Sequence, residues 1–240
     1  MPNNYFQFKQ FTVQQEKAAL KVSTDSCLFG AWVAAHLAAN LPQPSTILDI
    51  GTGTGLLMLM LAQKLEAKID GIEIDESAYQ QATANVQQSP WKDRLHTYHA
   101  DVRHTAMDKA YDFIISNPPF YEGDVKSGEA SKNLAKHDTG LTLEALITVV
   151  DSCLSPGGSF SVLLPFHRTE AFFTYAKARQ FYCSHWLRVK QTPAHSYFRS
   201  VLIFSRVEKE CKQEELIIRE ANNQYSAAFI SLLKEYYLYL

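Results

Sequence analysis

The segment Ser116-Asn117-Pro118-Pro119-Phe120 combines an amide, two consecutive prolines and an aromatic ring, a set suited to holding a flat amine. An exocyclic amine on a nucleobase is a poor nucleophile because its lone pair is delocalised into the ring. Two acceptors on its hydrogens favour a pyramidal nitrogen and aim the lone pair at an electrophile. The Asn117 side-chain oxygen and the Pro118 carbonyl can serve as those acceptors. The paired prolines stiffen the backbone that carries them. Phe120 offers an apolar face on which a base can stack, worth roughly 1–3 kcal/mol. Asn117, Pro118 and Phe120 are therefore the candidate catalytic residues. The competing reading is an ordinary turn, because Asn-Pro and Pro-Pro are common in loops.

A second set lies upstream. Asp49-Ile50-Gly51-Thr52-Gly53-Thr54-Gly55 follows an apolar run and precedes a helical one. Glycines there permit backbone angles closed to other residues and let a ligand approach the main chain. The helix that follows offers free N–H groups. The spacing is G-x-G-x-G, which differs from the G-x-G-x-x-G of nicotinamide-binding folds. Asp49, Gly51, Gly53 and Gly55 are read as cofactor-binding. Glu73, near the end of Gly71-Ile72-Glu73-Ile74-Asp75, can accept both ribose hydroxyls of an adenosine, while Asp75 is better suited to cap a helix. Asp101 can accept from the adenine amino group with Val102 packing nearby; a plain surface acid is its rival. Together the two sets point to methyl transfer from a sulfonium donor onto an amine. Such a reaction needs no general base, since the amine becomes acidic only as the methyl arrives. No nucleophile is assigned, and no His-x-x-x-His pair is present.

These residues must be held by strands that end in register. Thr46–Ile50, Lys68–Ile74, Leu95–Ala100, Tyr111–Ser116 and Phe160–Leu164 read as strands. Helices are expected from Leu56 to about Glu66, from Asp75 to about Gln88, over Leu141–Leu154 and over Thr169–Arg179. Strand and helix alternate and the strands are continuously apolar, which implies an α/β, doubly wound, mostly parallel sheet covered on both faces. Two late strands, near His185–Gln191 and Val201–Val207, lack a helix between them and suggest an antiparallel hairpin at one edge. In such sheets the ligand lies beyond the carboxyl ends, where strand order reverses.

Composition sets limits rather than direction. With 46% hydrophobic and 20% charged residues in 240, the chain suits one α/β domain. Residues 1–44 are expected to form an N-terminal cover and 45–240 the core. A net charge of −2 argues against coating nucleic acid by bulk charge and leaves a local basic groove open. Cys27, Cys153, Cys183 and Cys211 show no Cys-x-x-Cys spacing, so neither a zinc cluster nor a disulfide framework is expected. No signal-peptide pattern and no membrane-length apolar run is present, and a cytoplasmic location is expected.

Asp49–Leu57 and Asn117–Phe120 resemble the class I methyltransferases that modify amino groups. The likeness extends to Phe8-Lys9-Gln10-Phe11, Lys21-Val22-Ser23-Thr24-Asp25, Gly30-Ala31-Trp32, Gln88-Ser89-Pro90-Trp91 and the stretch from Asn223 to Leu238. These blocks resemble the bacterial tRNA1(Val) adenine-37 N6-methyltransferase family over essentially the whole chain. The resemblance implies a Rossmann-like fold of seven strands and S-adenosylmethionine as donor. It also implies, as substrate, the adenosine 3′ of the anticodon in a valine tRNA, with no membrane or obligate protein partner. Lys21, Thr24 and Asp25 would then close over the donor's methionine end. Phe120 stands where tyrosine is frequent, and Ser23 and Ser26 stand where glycines are expected.

Candidates for RNA contact are Lys126, Lys132, Lys136 and His137 after Phe120, and Arg188, Lys190, His195 and Arg199 around the late hairpin. Phe229, Leu232, Leu233, Tyr236 and Tyr237 fall at helical spacing and read as core. The alternatives are an amino-directed enzyme acting on rRNA guanine, DNA adenine or a protein glutamine, or a non-catalytic RNA-binding factor.

Overall fold

A computed structural model describes residues 3–17, 21–40, 42–105, 107, 109–119 and 141–240. A short hairpin, β1 (Tyr5–Gln7) and β2 (Thr12–Gln14), precedes α1 (Thr24–Ala39). There follow β3 (Thr46–Ile50), α2 (Leu56–Ala62), β4 (Lys68–Glu73), α3 (Glu76–Gln87), β5 (Leu95–His99) and β6 (Tyr111–Ser116). After residue 140 come α4 (Leu143–Cys153), β7 (Leu154–Pro165), α5 (Thr169–Ala178), β8 (Tyr182–Lys190), β9 (Tyr197–Ser205), β10 (Lys212–Ile217) and α6 (Ala227–Leu233).

The main sheet has the order β10-β8-β9-β7-β6-β3-β4-β5. Among the described strands of this sheet, only β9 runs against its neighbours; the other pairings are parallel. The α/β, mostly parallel architecture is as the sequence implies. Among the described residues the sheet has eight strands where seven are implied by the resemblance, and the β8–β9 hairpin is not at the edge, because β10 pairs with β8 outside it. β10 reads Lys-Gln-Glu-Glu-Leu-Ile, and most of it is solvent-accessible. Charged side chains on an edge strand discourage pairing with other chains and also erase the hydrophobic pattern that would announce a strand.

Alternating side chains of the central strands feed two apolar layers. Ile47, Ile69, Phe113 and Ile115 pack with α1, α2 and α6. Leu48, Ile50, Ile72 and Ile114 pack with α4 and α5. Gly71 in β4 is dictated by close approach: a Cβ there would lie 2.4 Å from the Met58 sulfur of α2 and 3.0 Å from Thr52. The chain ends also meet. Phe8 and Phe11 stack at 4.4 Å, and Lys9 N–H donates to the Tyr236 carbonyl at 2.8 Å. Phe229, Leu233 and Tyr236 are buried, with Leu232 and Tyr237 packed against the same layer, as the helical spacing predicts. Cys183 and Cys211, distant in sequence, have their sulfurs 3.2 Å apart and are free thiols; burial raises both pKa values.

Candidate active site

Strand order reverses between β3 and β6, and the two chemical motifs emerge from the carboxyl ends of these neighbours. The Ser116 hydroxyl donates to the Ile50 carbonyl at 2.9 Å, fastening one strand end to the other just before each motif begins. The crevice between them is lined by Gly51, Gly53, Glu73, Asp101, Val102 and Asn117, together with Pro118, Pro119 and Leu141. The structure thus gathers Gly51, Gly53, Asn117, Pro118 and the tips of β4 and β5 around one cavity; Asp49 and Gly55 do not line it.

The glycine loop is shaped by its backbone. Gly51 N–H donates to the Ile72 carbonyl at 2.9 Å, and Thr52 N–H to the same oxygen at 3.2 Å. Gly51 and Gly53 have φ of +71° and +57°, in the left-handed region that other residues rarely enter. A Cβ on Gly51 would meet no atom within 4 Å, so a side chain there would stand in open space beside the crevice. Gly55, also at positive φ, caps α2. The Glu73 carboxylate accepts from Gly53 N–H at 2.9 Å and from Asp75 N–H at 3.0 Å. Each oxygen keeps a lone pair for a further donor. Asp75 caps α3 through Ala78 N–H at 2.8 Å, as expected of it.

Asp49 is fully buried in β3. One oxygen accepts from the Thr52 hydroxyl at 2.6 Å, while the other has no partner among the described residues. Burial pushes its pKa up to about 7; the Thr52 bond opposes this, and the Glu73 charge adds to it. Asp101 is held differently. Arg103 Nε donates to both of its oxygens, at 2.9 and 3.1 Å, and Arg103 Nη2 donates at 2.7 Å. These bonds hold its carboxyl well below the usual carboxylate range, so it is an ionised acceptor at the end of β5.

Asn117 Oδ1 is buried at the crevice and has no hydrogen-bond partner among the described residues. An unmet amide oxygen in such a place costs about 1–3 kcal/mol unless a ligand's N–H supplies the bond. Pro118 is buried beside it. Phe120, Lys126, Lys132, Lys136 and His137 lie outside the described residues.

Lys21, Thr24 and Asp25 do not line the crevice. Lys21 and Thr24 are exposed, and Asp25 is paired with Arg199 at 2.7 Å. That pair joins the start of α1 to β9 where Arg199 faces Pro165 of β7, on the same carboxyl side of the sheet. Ser23 and Ser26 form a capping box for α1, a role that accounts for serines at these positions. Among the late-hairpin candidates, Arg188 and Lys190 share a face with Tyr197, whereas His195 bonds Thr192 at 2.7 Å.

Sequence reading missed Asn85. It is buried in α3; its amide exchanges hydrogen bonds of 2.9 Å with both backbone groups of Gln14 and donates to the Thr54 carbonyl at 2.8 Å. It therefore ties the N-terminal hairpin to the glycine loop. A helical Asn carries no signal of such a long-range clamp.

The Methyltransferase small domain model matches residues 31–167. The chain is 43% identical over 236 residues to the tRNA1(Val) (adenine(37)-N6)-methyltransferase of Flavobacterium psychrophilum, covering 97% of this chain and 99% of that relative. It is 39% identical to the protein of the same name from Bacteroides fragilis, with 99% of each covered. The chain belongs to the tRNA1(Val) (adenine(37)-N6)-methyltransferase family. More distant structures share this family's fold. A predicted O-methyltransferase from Agrobacterium tumefaciens superposes with a TM-score of 0.67 at 17% identity, covering 88% of this chain and 96% of that one. A ribosomal protein L11 methylase from Lactobacillus delbrueckii gives 0.57 at 15% identity, covering 81% and 84%.

Proposed function

We propose that this protein transfers the methyl group of S-adenosylmethionine to the exocyclic nitrogen of adenosine 37 in a valine tRNA. The observation that carries the reading is the buried, unpartnered oxygen of Asn117, a residue at the strand switch point that lines the same cavity as Gly51 and Gly53 of the glycine loop. Full-length relatives bearing that activity in their names support the choice of substrate.

The residues present fit the donor. Gly51 and Gly53 keep the loop free of side chains, Glu73 offers two oriented oxygens to ribose hydroxyls, and Asp101 with Val102 forms an adenine end. Asp49 and Gly55 complete the donor side, and Lys21, Thr24 and Asp25 belong to a cover over it. When bound, S-adenosylmethionine supplies an electrophilic methyl on a sulfonium. Asn117 Oδ1 and the Pro118 carbonyl accept from the target amine, holding its lone pair in line, and Phe120 stacks on the base. The amine loses its proton to an oxygen already in contact or to solvent. Residues 1–240 act as a single catalytic domain, in which α1 of the N-terminal segment 1–44 packs into the core and the stretch before it serves as cover, working in the cytoplasm where tRNA is processed. Among the described residues, no helix is long and apolar enough to cross a membrane.

The test is incubation of the protein with labelled donor and bulk tRNA from a strain lacking it, followed by nucleoside mapping. Label in N6-methyladenosine at position 37 is the expected result. Label in guanosine, in protein, or nowhere would overturn the reading.

A further inference from the structure

Beyond the crevice, the carboxyl side of the sheet carries a compact group of rings and cations. Phe166 begins a short 3-10 turn directly after β7. Its ring lies 5.0 Å from Tyr197 of β9 and 6.0 Å from Trp186 of β8. The Arg188 guanidinium sits over the Tyr197 ring at 5.1 Å and near the Trp186 ring at 5.7 Å. Lys190 Nζ lies 4.5 Å from the Tyr197 centroid. Trp186, Arg188 and Lys190 alternate along β8 and so share one face.

Two features separate this group from ordinary packing. Arg188 Nε is buried and has no hydrogen-bond partner among the described residues, although a guanidinium normally meets most of its donors. The neighbouring carboxylate, Glu215, is instead occupied by the Tyr197 hydroxyl and by Lys190 at 3.2 Å. Phe166, Arg188, Lys190 and Tyr197 are also only half-buried. Adjoining aromatic rings and a guanidinium with an unspent donor match an unpaired nucleotide, whose base stacks while its phosphate accepts. The position fits as well. β7 lies between β6, which leads into Asn117, and β9, which carries Tyr197. Two strand spacings are about 10 Å. An enzyme that draws one base out of a loop must also hold what flanks it.

We infer that Phe166, Arg188, Lys190 and Tyr197 form a stacking platform for an unpaired nucleotide of the RNA strand adjoining the methylated base. This deepens the proposed function and rests on it for the identity of the RNA. Arg188 carries the phosphate and the ring pair carries the base.

The test uses the full chain and a valine anticodon stem-loop RNA with 2-aminopurine beside the target position. Without donor, binding to the wild type should quench the 2-aminopurine as it stacks. Tyr197→Ala and Arg188→Ala should each raise the RNA KM by roughly ten- to a hundred-fold, in keeping with the loss of one stacked base. Turnover at saturating RNA and donor affinity should stay within about twofold. Tyr197→Phe, which keeps the ring and loses the bond to Glu215, should bind as the wild type does. Should Arg188→Ala fail to fold, Arg188→Lys keeps the charge without the plane and should still raise KM. An unchanged RNA KM in folded variants, no quenching in the wild type, or Tyr197→Phe as damaging as Tyr197→Ala would overturn the platform. Methyl transfer with a KM indifferent to these variants removes the platform and leaves the proposed function. Quenching that the variants abolish, without methylation of any RNA, does the reverse.

Discussion

Asp49 and Asp70 are buried carboxylates on adjacent parallel strands, yet the fold treats them in opposite ways. Asp70 accepts from the Tyr111 hydroxyl at 2.7 Å, pairs with Lys109 at 2.8 Å, and has His96 at 3.7 Å. Its oxygens are spent on neighbouring side chains. Asp49 has one oxygen on Thr52, the other on nothing among the described residues, and a pKa pushed up to about 7. Asp112 repeats the first pattern, accepting from Ser45 N–H, Thr46 N–H, the Thr46 hydroxyl and the Ser155 hydroxyl. Most buried polar groups are satisfied within the fold. Four buried side-chain atoms are left open among the described residues: those of Asp49 and Asn117 lie at the carboxyl ends of β3 and β6, beside the candidate site, and Gln63 Oε1 and Arg188 Nε lie elsewhere.

The contrast can be broken most forcefully at Asn117. Asn117→Ala should lower the turnover number by at least a hundredfold, as removal of one oriented transition-state partner does, with donor affinity and melting temperature near wild type. Substantial residual turnover would show that the unmet oxygen is not catalytic. Asp70→Ala should do the converse. Leaving the buried Tyr111 hydroxyl without its acceptor should cost about 1–3 kcal/mol in a denaturant titration while leaving turnover of the folded fraction intact. A large loss of turnover at unchanged stability would erase the distinction.

Smaller effects sharpen it. Glu73→Ala should weaken donor binding about tenfold by calorimetry, since the ribose acceptor and the brace on Gly53 are lost together. Unchanged affinity would remove its assigned role. Asp49 offers a test by pH. Its folded pKa is raised, so between about pH 4 and about 7 the native state holds a proton that the unfolded chain has released. Donor-free stability from this group therefore falls as pH rises through that window. Asp49→Asn, measured by denaturant titration at several pH values, should flatten the slope; an identical slope would place the cause elsewhere.

Much of this is legible in the sequence. The apolar run of β6 and the motifs at the ends of β3, β4 and β6 are recognisable because buried parallel strands carry hydrophobic stretches and tight turns demand glycine. Helical spacing alone assigns Phe229, Leu233 and Tyr236 to the core. What stays hidden depends on partners far along the chain. β10 is polar because it is an edge, so its pairing with β8 leaves no periodic trace. Asn85 looks like any helical amide until Gln14 and Thr54 are brought to it. Asp25 reads as a cover residue by resemblance, and only folding shows it tied to Arg199. Sequence supplies the carboxylates and the amide, but whether each is satisfied is a property of the folded neighbourhood.

The most direct test is a structure of the protein with a non-reactive donor analogue and the target adenosine bound, read at one distance. The account predicts Asn117 Oδ1 within about 3.2 Å of the adenine amino nitrogen, with that nitrogen in line with the donor's methyl position. An Asn117 side chain turned away from the amine, with its oxygen bonded to protein, would contradict it.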